Sequence, residues 1–344
     1  MVKKPYEAAL VERPVAAPTR GEVLLRFLQG GICGSDLAAY QGVSPLVVYP
    51  RVIGHEMVGE VVQCGSGDDS LLGARVVIEP LLPCGSCIAC RKGRYNTCVH
   101  LQVMGVHVDG GFQDYFVVPT LNLYRVPEEM DLDTAVLVEP LTIACQAVFR
   151  AGVSAADQVI IFGAGTIGLL ALQVVTSYLG AAALVVDVLP ERLRLAEKLG
   201  AAATINVAGW TGPGTAPVLL EAVKEWTKGD LATVAIEATG HPASTAAAID
   251  CLGHAGRLSL VGWNKGPITV DTVQLMRKEL DVFGSRNSCR MFPRAISILA
   301  GGHIATRTMI THRFPLRRAA EALELMHSQP GVALKVVLYA EDGA

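Results

Sequence analysis

A chain of 344 residues has room for about two domains with cores of their own. Hydrophobic residues make up 51% and charged residues 18%, with 35 glycines against 3 Trp, 8 Tyr and 8 Phe, which excludes a disordered chain and favours an α/β architecture. Twenty-nine Lys and Arg against 32 Asp and Glu give a net charge of −3 with no block of like charge, so nucleic acid is not an expected partner.

The chain opens Met1-Val2-Lys3-Lys4-Pro5-Tyr6-Glu7, without the apolar stretch of a secretory signal, and a cytoplasmic protein is expected. Over residues 1–150 short strands are punctuated by Gly and Pro, at 22–28, 57–62, 74–78 and 112–118, which predicts a β-rich, barrel-like domain. Inside it, Cys33 in Gly-Ile-Cys-Gly-Ser-Asp is followed after 21 residues by His55-Glu56. Taken singly, a buried Cys is a small core hydrophobe and a lone His a satisfied structural residue. Cys84, Cys87, Cys90 and Cys98, with two, two and seven residues between them, let one loop wrap four thiolates around a tetrahedral ion. Zinc fits this spacing best. A four-iron cluster also takes four thiolates, but a proline usually follows its last cysteine and Val99 stands here. Glu139, in Val-Glu-Pro-Leu, is a carboxylate inside an apolar run, where burial is costly without a cation or donors. A capping or solvated loop residue is the other reading.

From residue 157 the pattern changes to alternating strands and helices: strand 159–163, helix 166–179, strand 183–187, helix 191–199, strand 203–206, helix 217–226, strand 234–237, helix 242–252, then strands 257–262 and 280–284. Six strands fit a doubly wound parallel sheet. Residues 158–186 carry no charge, a span long enough to cross a membrane, but Gly163, Gly165, Gly168 and Gly180 break it into strand, turn, helix and strand, and no membrane partner is expected. After about residue 286, two helical segments and a final strand at 334–339 are expected to rejoin the first domain, giving segments 1–150, 151–286 and 287–344.

Gly163-Ala164-Gly165-Thr166-Ile167-Gly168 is GxGxxG directly after a strand and opening a helix, the context of a dinucleotide loop. Gly163 serves the tight turn, Gly165 the approach of a pyrophosphate, and Gly168 close packing of helix on strand, while the helix N-terminus supplies donors. Asp187 ends the second strand 19 residues after Gly168, where a carboxylate accepts hydrogen bonds from the adenosine ribose and repels a 2′-phosphate. Arg192 flanks the same ribose or is solvated on an exposed helix.

The motifs GICGSD, GHEMVGEVV, the four-cysteine loop, VEPL and GAGTIG stand in the order and spacing of the zinc-dependent medium-chain dehydrogenase/reductase family, which the whole chain resembles. The stretches YPRVIGHE, MGVHVDGGFQDY and FGSRNS look most like its L-galactonate and related sugar-acid and polyol branch. The resemblance implies a GroES-like catalytic domain, a Rossmann domain, NAD, one catalytic and one structural zinc, and a homodimer or homotetramer. It carries Cys33, His55 and Glu139 onto the catalytic zinc ligands, Glu56 onto a carboxylate that ligates directly or by exchange, and the four clustered cysteines onto the structural zinc lobe. Ser35 matches the hydroxyl that starts a proton relay, Asp36 the partner that orients the histidine, and Gly262 the backbone near the nicotinamide. Ala38 departs from the family, many of whose members have a histidine there as the outer end of the relay. The implied reaction is oxidation of a secondary hydroxyl of a small polyol or sugar acid. Simple alcohol or threonine oxidation is the alternative, with a zinc-free reductase or a non-catalytic protein of the same fold as more distant ones.

Overall fold

The computed structural model describes residues 1–65, 69–210, 215–263, 266–329 and 331–341. The chain forms two compact units: Met1–Glu139 with Phe292–Ala300 and Thr306–Ala344, and Pro140–Met291 with Gly301–Ala305. The division falls inside the helix Val138–Arg150, whose last residue is where the sequence suggested a boundary.

The first unit is built on the strand Glu22–Ile32. Its side chains alternate between half-buried and buried, with Val23, Leu25 and Phe27 in the core, so one face of a pleated strand is apolar. Lys335–Tyr339 pairs with it on one side and Glu56–Cys64 on the other, both antiparallel, and Tyr115–Pro119 pairs with its first half. Arg75–Ile78 and Leu123–Arg125 extend the sheet beyond Glu56–Cys64, and Ile310–Pro315 lies parallel to Lys335–Tyr339 at the opposite edge. The central strand runs four residues past its expected end because Gly30 and Gly31 continue the ladder. A Cβ on Gly30 would lie 2.7 Å from the Phe112 ring, and one on Gly31 would strike the Glu56 carboxylate, so glycines here make room and do not end the strand. The strand expected at 112–118 starts only at Tyr115, because Phe112 N bonds to Ile53 O and the ring turns inward.

The second unit is a six-stranded parallel sheet in the order Ala203–Asn206, Ala182–Asp187, Gln158–Phe162, Ala232–Glu237, Leu252–Leu260, Asp281–Gly284. The doubly wound sheet expected from the sequence is therefore present. Ile160, Ile161, Leu184, Val185, Val234 and Ile236 are fully buried, as strands covered on both faces must be. The chain reverses direction across the sheet beside Gln158–Phe162, the switch point at whose carboxyl edge ligands bind in such folds. The helix expected over 166–179 is α-helical over Thr166–Gln173 and continues as a π-turn over Val174–Tyr178. At the opposite, amino edge, Asp157 accepts hydrogen bonds from Ser154 N at 2.8 Å, Ser154 Oγ at 2.9 Å and Thr233 Oγ1 at 2.8 Å, and pairs with Arg257. Among the described residues one helical run, Leu132–Arg150, is long and apolar enough to cross a membrane, and 72% of its apolar window is buried inside the protein.

Candidate active site

The four clustered cysteines come together as their spacing suggested: their sulfurs all lie within 4.8 Å of one another. Cys87 Sγ and Cys90 Sγ are 3.5 Å apart, against an edge of about 3.8 Å for a tetrahedron with zinc–sulfur arms of about 2.3 Å. Backbone N–H groups face the sulfurs, with Cys84 N and His100 N at 3.3 and 3.4 Å from Cys98 Sγ. The N–H groups of Ser86 and Cys87 pull the Cys84 thiol down to about 5, and that of Cys90 acts in the same direction on Cys87. Four soft donors gathered within 4.8 Å of one another fit a closed zinc site. Tyr95 anchors this lobe to the sheet by donating to Glu79 Oε1 at 2.8 Å, while Tyr124 donates to Glu79 Oε2 at 3.0 Å.

The second constellation is assembled from three separate pieces of chain. Cys33 is the N-cap of the helix Gly34–Tyr40, His55 precedes the strand Glu56–Cys64, and Glu139 lies in the first turn of Val138–Arg150. Cys33, His55 and Glu56 present ligating atoms within 4.8 Å of one another. Glu139 is not within that distance of all three, but it is buried and interacts electrostatically with His55, Glu56 and Lys335. Asp36 organises the group. It accepts from Cys33 N at 2.9 Å and Gly54 N at 3.0 Å, and its Oδ1 lies 3.5 Å from His55 Nδ1. That nitrogen is buried and makes no hydrogen bond, while Nε2 is 3.3 Å from Ser35 Oγ.

The electrostatics call for positive charge. Burial alone would lower His55, yet the Asp36 and Cys33 charges outweigh it and raise the imidazole well above its ordinary value. Burial pushes Glu139 up to about 8, with Glu56 and Asp36 adding to the rise and His55 and Lys335 opposing it. A thiol, an imidazole and three buried carboxyls around one lysine fit a divalent cation.

Lys335 is the site residue that sequence reasoning missed. Its Nζ donates to Glu56 Oε1 at 2.8 Å, Glu56 Oε2 at 2.6 Å and Ile32 O at 3.3 Å, in a fully buried pair. The available signal was a lysine set between Leu334 and Val336 in an otherwise apolar strand. A cavity of about 1170 Å³ in this unit is lined in part by residues 8–16 and by none of Cys33, His55, Glu56 or Glu139. It gathers no ligating cluster, so chemistry and not cavity size locates the site.

In the second unit Gly163 adopts φ +97°, and a Cβ on Gly168 would strike Gly163 O. Gly165 caps the helix Thr166–Gln173 with open space around it, and Thr166 and Ile167 form its first turn. Asp187 Oδ2 accepts from Ala164 N at 2.6 Å, and Oδ1 accepts from Val188 N and Leu189 N at 2.7 and 2.9 Å. Arg192 Nη1 donates to Ala164 O at 3.4 Å. The carboxylate that the sequence aims at a ribose thus also ties the glycine loop to the next helix. Gly262 N donates to Glu237 O at 2.9 Å.

Two family models match the chain: the alcohol dehydrogenase GroES-like domain over residues 19–128 and the zinc-binding dehydrogenase over residues 166–301. The chain is 37% identical to the starvation-sensing protein RspB of Escherichia coli K12, covering 98% of each chain. It is 33% identical to the L-galactonate-5-dehydrogenase of Escherichia coli K12, covering 94% of this chain and 93% of the relative. The crystal structure of a short chain alcohol dehydrogenase (rspB) from Escherichia coli CFT073, complexed with NADH, superposes with a TM-score of 0.91 at 36% identity, covering 98% of this chain and 97% of that one. With a GroES-like sheet in one unit and a Rossmann sheet in the other, this chain belongs to the zinc-type medium-chain dehydrogenase family, oxidoreductases that work with zinc and a nicotinamide dinucleotide.

Proposed function

We propose that the protein oxidises a secondary hydroxyl of a polyol or sugar acid, L-galactonate or a close analogue, to a ketone with NAD as acceptor. The observation that carries the reading is the cluster of half-buried Cys33 with buried His55 and Glu56, and Glu139 beside it, a donor set richer in carboxylate than in sulfur. Hard oxygen donors suit a hydroxyl-rich ligand that brings further oxygens to the metal. The 33% identity to an L-galactonate-5-dehydrogenase over nearly the whole chain points the same way.

Bound zinc and NAD supply acidification of the substrate hydroxyl and a hydride acceptor. Cys33, His55 and Glu139 would hold the metal. Lys335 engages both oxygens of Glu56, which favours Glu139 as the third ligand and leaves Glu56 as the nearby carboxylate that exchanges. Asp36, 3.5 Å from Nδ1, favours the tautomer with the proton there and leaves Nε2 as the nitrogen that would ligate. Ser35 Oγ, on the Nε2 side of the ring, takes the hydroxyl proton. Ala38 passes no proton on, so the onward route runs through water or ribose hydroxyls. The four-cysteine lobe holds the structural zinc, and Asp187 with Arg192 receives the adenosine ribose.

Turnover of a panel of aldonates, neutral polyols and simple alcohols with NAD, followed by the absorbance of reduced cofactor, tests the reading. An aldonate or polyol is expected to exceed ethanol by at least about 100-fold in kcat/KM. Ethanol as the best substrate overturns it.

A further inference from the structure

The strand Ala232–Glu237 ends at the switch point in a buried acid that neither the zinc site nor the glycine loop uses. Glu237 is 1% exposed. Its Oε1 accepts from Thr239 N at 2.8 Å, from Gly240 N at 3.2 Å and from Thr239 Oγ1, and Oε2 lies 3.1 Å from the same Gly240 N. Its main-chain oxygen accepts from Val261 N and Gly262 N, both at 2.9 Å. A Cβ on Gly262 would lie 2.7 Å from Glu237 Oε2 and overlap the Gly240 backbone, and one on Gly163 would lie 2.9 Å from Thr239 Cγ2. One residue therefore braces the turns that follow two neighbouring strands, Ala232–Glu237 and Leu252–Leu260.

Phe162 and Glu237 are register partners, while Asp187 ends the strand on the other side of Gln158–Phe162. A dinucleotide crossing such a switch point lays its adenosine half on the Asp187 side and its other half on the Glu237 side. We propose that Glu237 is a positioning residue for the nicotinamide half of the cofactor, holding the Thr239–Gly240 turn and the Val261–Gly262 turn as one wall without touching the cofactor itself. The inference rests on the reading of the glycine loop as a dinucleotide site. A glutamine in its place offers one acceptor oxygen and turns an amide donor toward donors, so the turn loosens while the strand keeps its shape.

The zinc-loaded, full-length Glu237→Gln protein is titrated calorimetrically with NADH and, separately, with 5′-AMP, which reports only the adenosine half. NADH Kd is expected to rise about ten-fold, with AMP Kd within two-fold and zinc content unchanged. Thr239→Val, at an exposed position, removes the hydroxyl that donates to Glu237 and accepts from His241 N at 2.9 Å, and should raise NADH Kd about three-fold by the same selectivity. Unchanged NADH affinity in Glu237→Gln overturns the proposal, as does equal loss of NADH and AMP there when Thr239→Val binds both like the parent. A parent protein that binds neither ligand overturns the dinucleotide reading and this inference together.

Discussion

A lysine side chain with 3% exposure beside a glutamate with 2% is held in place by the pairing itself, since either charge alone is costly to bury. Burial works to lower Lys335, and the charges of Glu56 and Cys33 more than offset it, leaving the ammonium above its ordinary value. Lys335→Met leaves Glu56 buried opposite a methyl group and should cost about 3–5 kcal/mol in urea unfolding. Lys335→Met combined with Glu56→Leu removes both charges, and most of that loss should return. A double variant no better than the single one would show that Lys335 stabilises the strand by other means. Asp187 carries a second prediction at this scale. Its two oxygens take three backbone N–H groups, so Asp187→Ser removes both the repulsion of a 2′-phosphate and a brace of the glycine loop. The ratio of kcat/KM for NAD over NADP should fall by at least about ten-fold, mostly through weaker NAD binding. A parent enzyme that uses both cofactors equally well would remove the role given to Asp187.

The two edges of the parallel sheet divide the work between them. At the carboxyl edge the strand ends carry Gly163, Asp187 and Glu237. At the amino edge Asp157, Thr233 and Arg257 tie three adjacent strands together, with Arg257 also donating to Ala151 O and Gly152 O at 2.8 and 2.7 Å. Burial would raise the Asp157 carboxyl, but hydrogen bonds from Ser154 and Thr233 and the Arg257 charge hold it below the usual range. A folded-state value below the unfolded one adds stability above the unfolded value of about 3.9, lost as pH falls through the folded value. Asp157→Asn should therefore lower stability at neutral pH by about 1–3 kcal/mol and flatten its decline below about pH 5. Equal acid sensitivity in parent and variant would show that the network is not linked to protonation. Strands were legible in the sequence where their signals are local: Gly and Pro punctuation around the strand at 22–28, and strand, glycines and helix in immediate succession at Gln158–Gln173. Lys335 was not, since its partner Glu56 lies 279 positions earlier and only strand order brings the two together. Glu237 likewise reads as an ordinary strand end until the neighbouring turns are placed around it. The end of Glu22–Ile32 was misread because Gly30 and Gly31, which usually interrupt a strand, here clear space for Phe112 and Glu56.

At the scale of the whole molecule, the two metal constellations make different demands on the same unit. The cysteine lobe has almost no core of its own: Leu81, Cys98 and Leu101 are its buried cluster, with Tyr95 and the cysteines packed around them. So small a cluster cannot repay the entropy of ordering the loop, and the four-thiolate site must supply the difference. Cys33 and His55 stand instead beside the main sheet, where Ile32, Met57 and Phe27 are already buried in a large core. The expected consequence is two zinc ions per chain with separable effects. Cys33→Ala should lose one zinc and nearly all turnover while its thermal midpoint stays within about 3 °C of the parent. Cys87→Ala should lose the other and drop the midpoint by about 5–10 °C, with activity at low temperature falling far less. Metal analysis beside thermal melts of the two variants reads both quantities. A fully metallated parent with a single zinc, or two variants that melt and lose activity alike, would mean that the cysteine lobe and the Cys33 cluster are not independent sites.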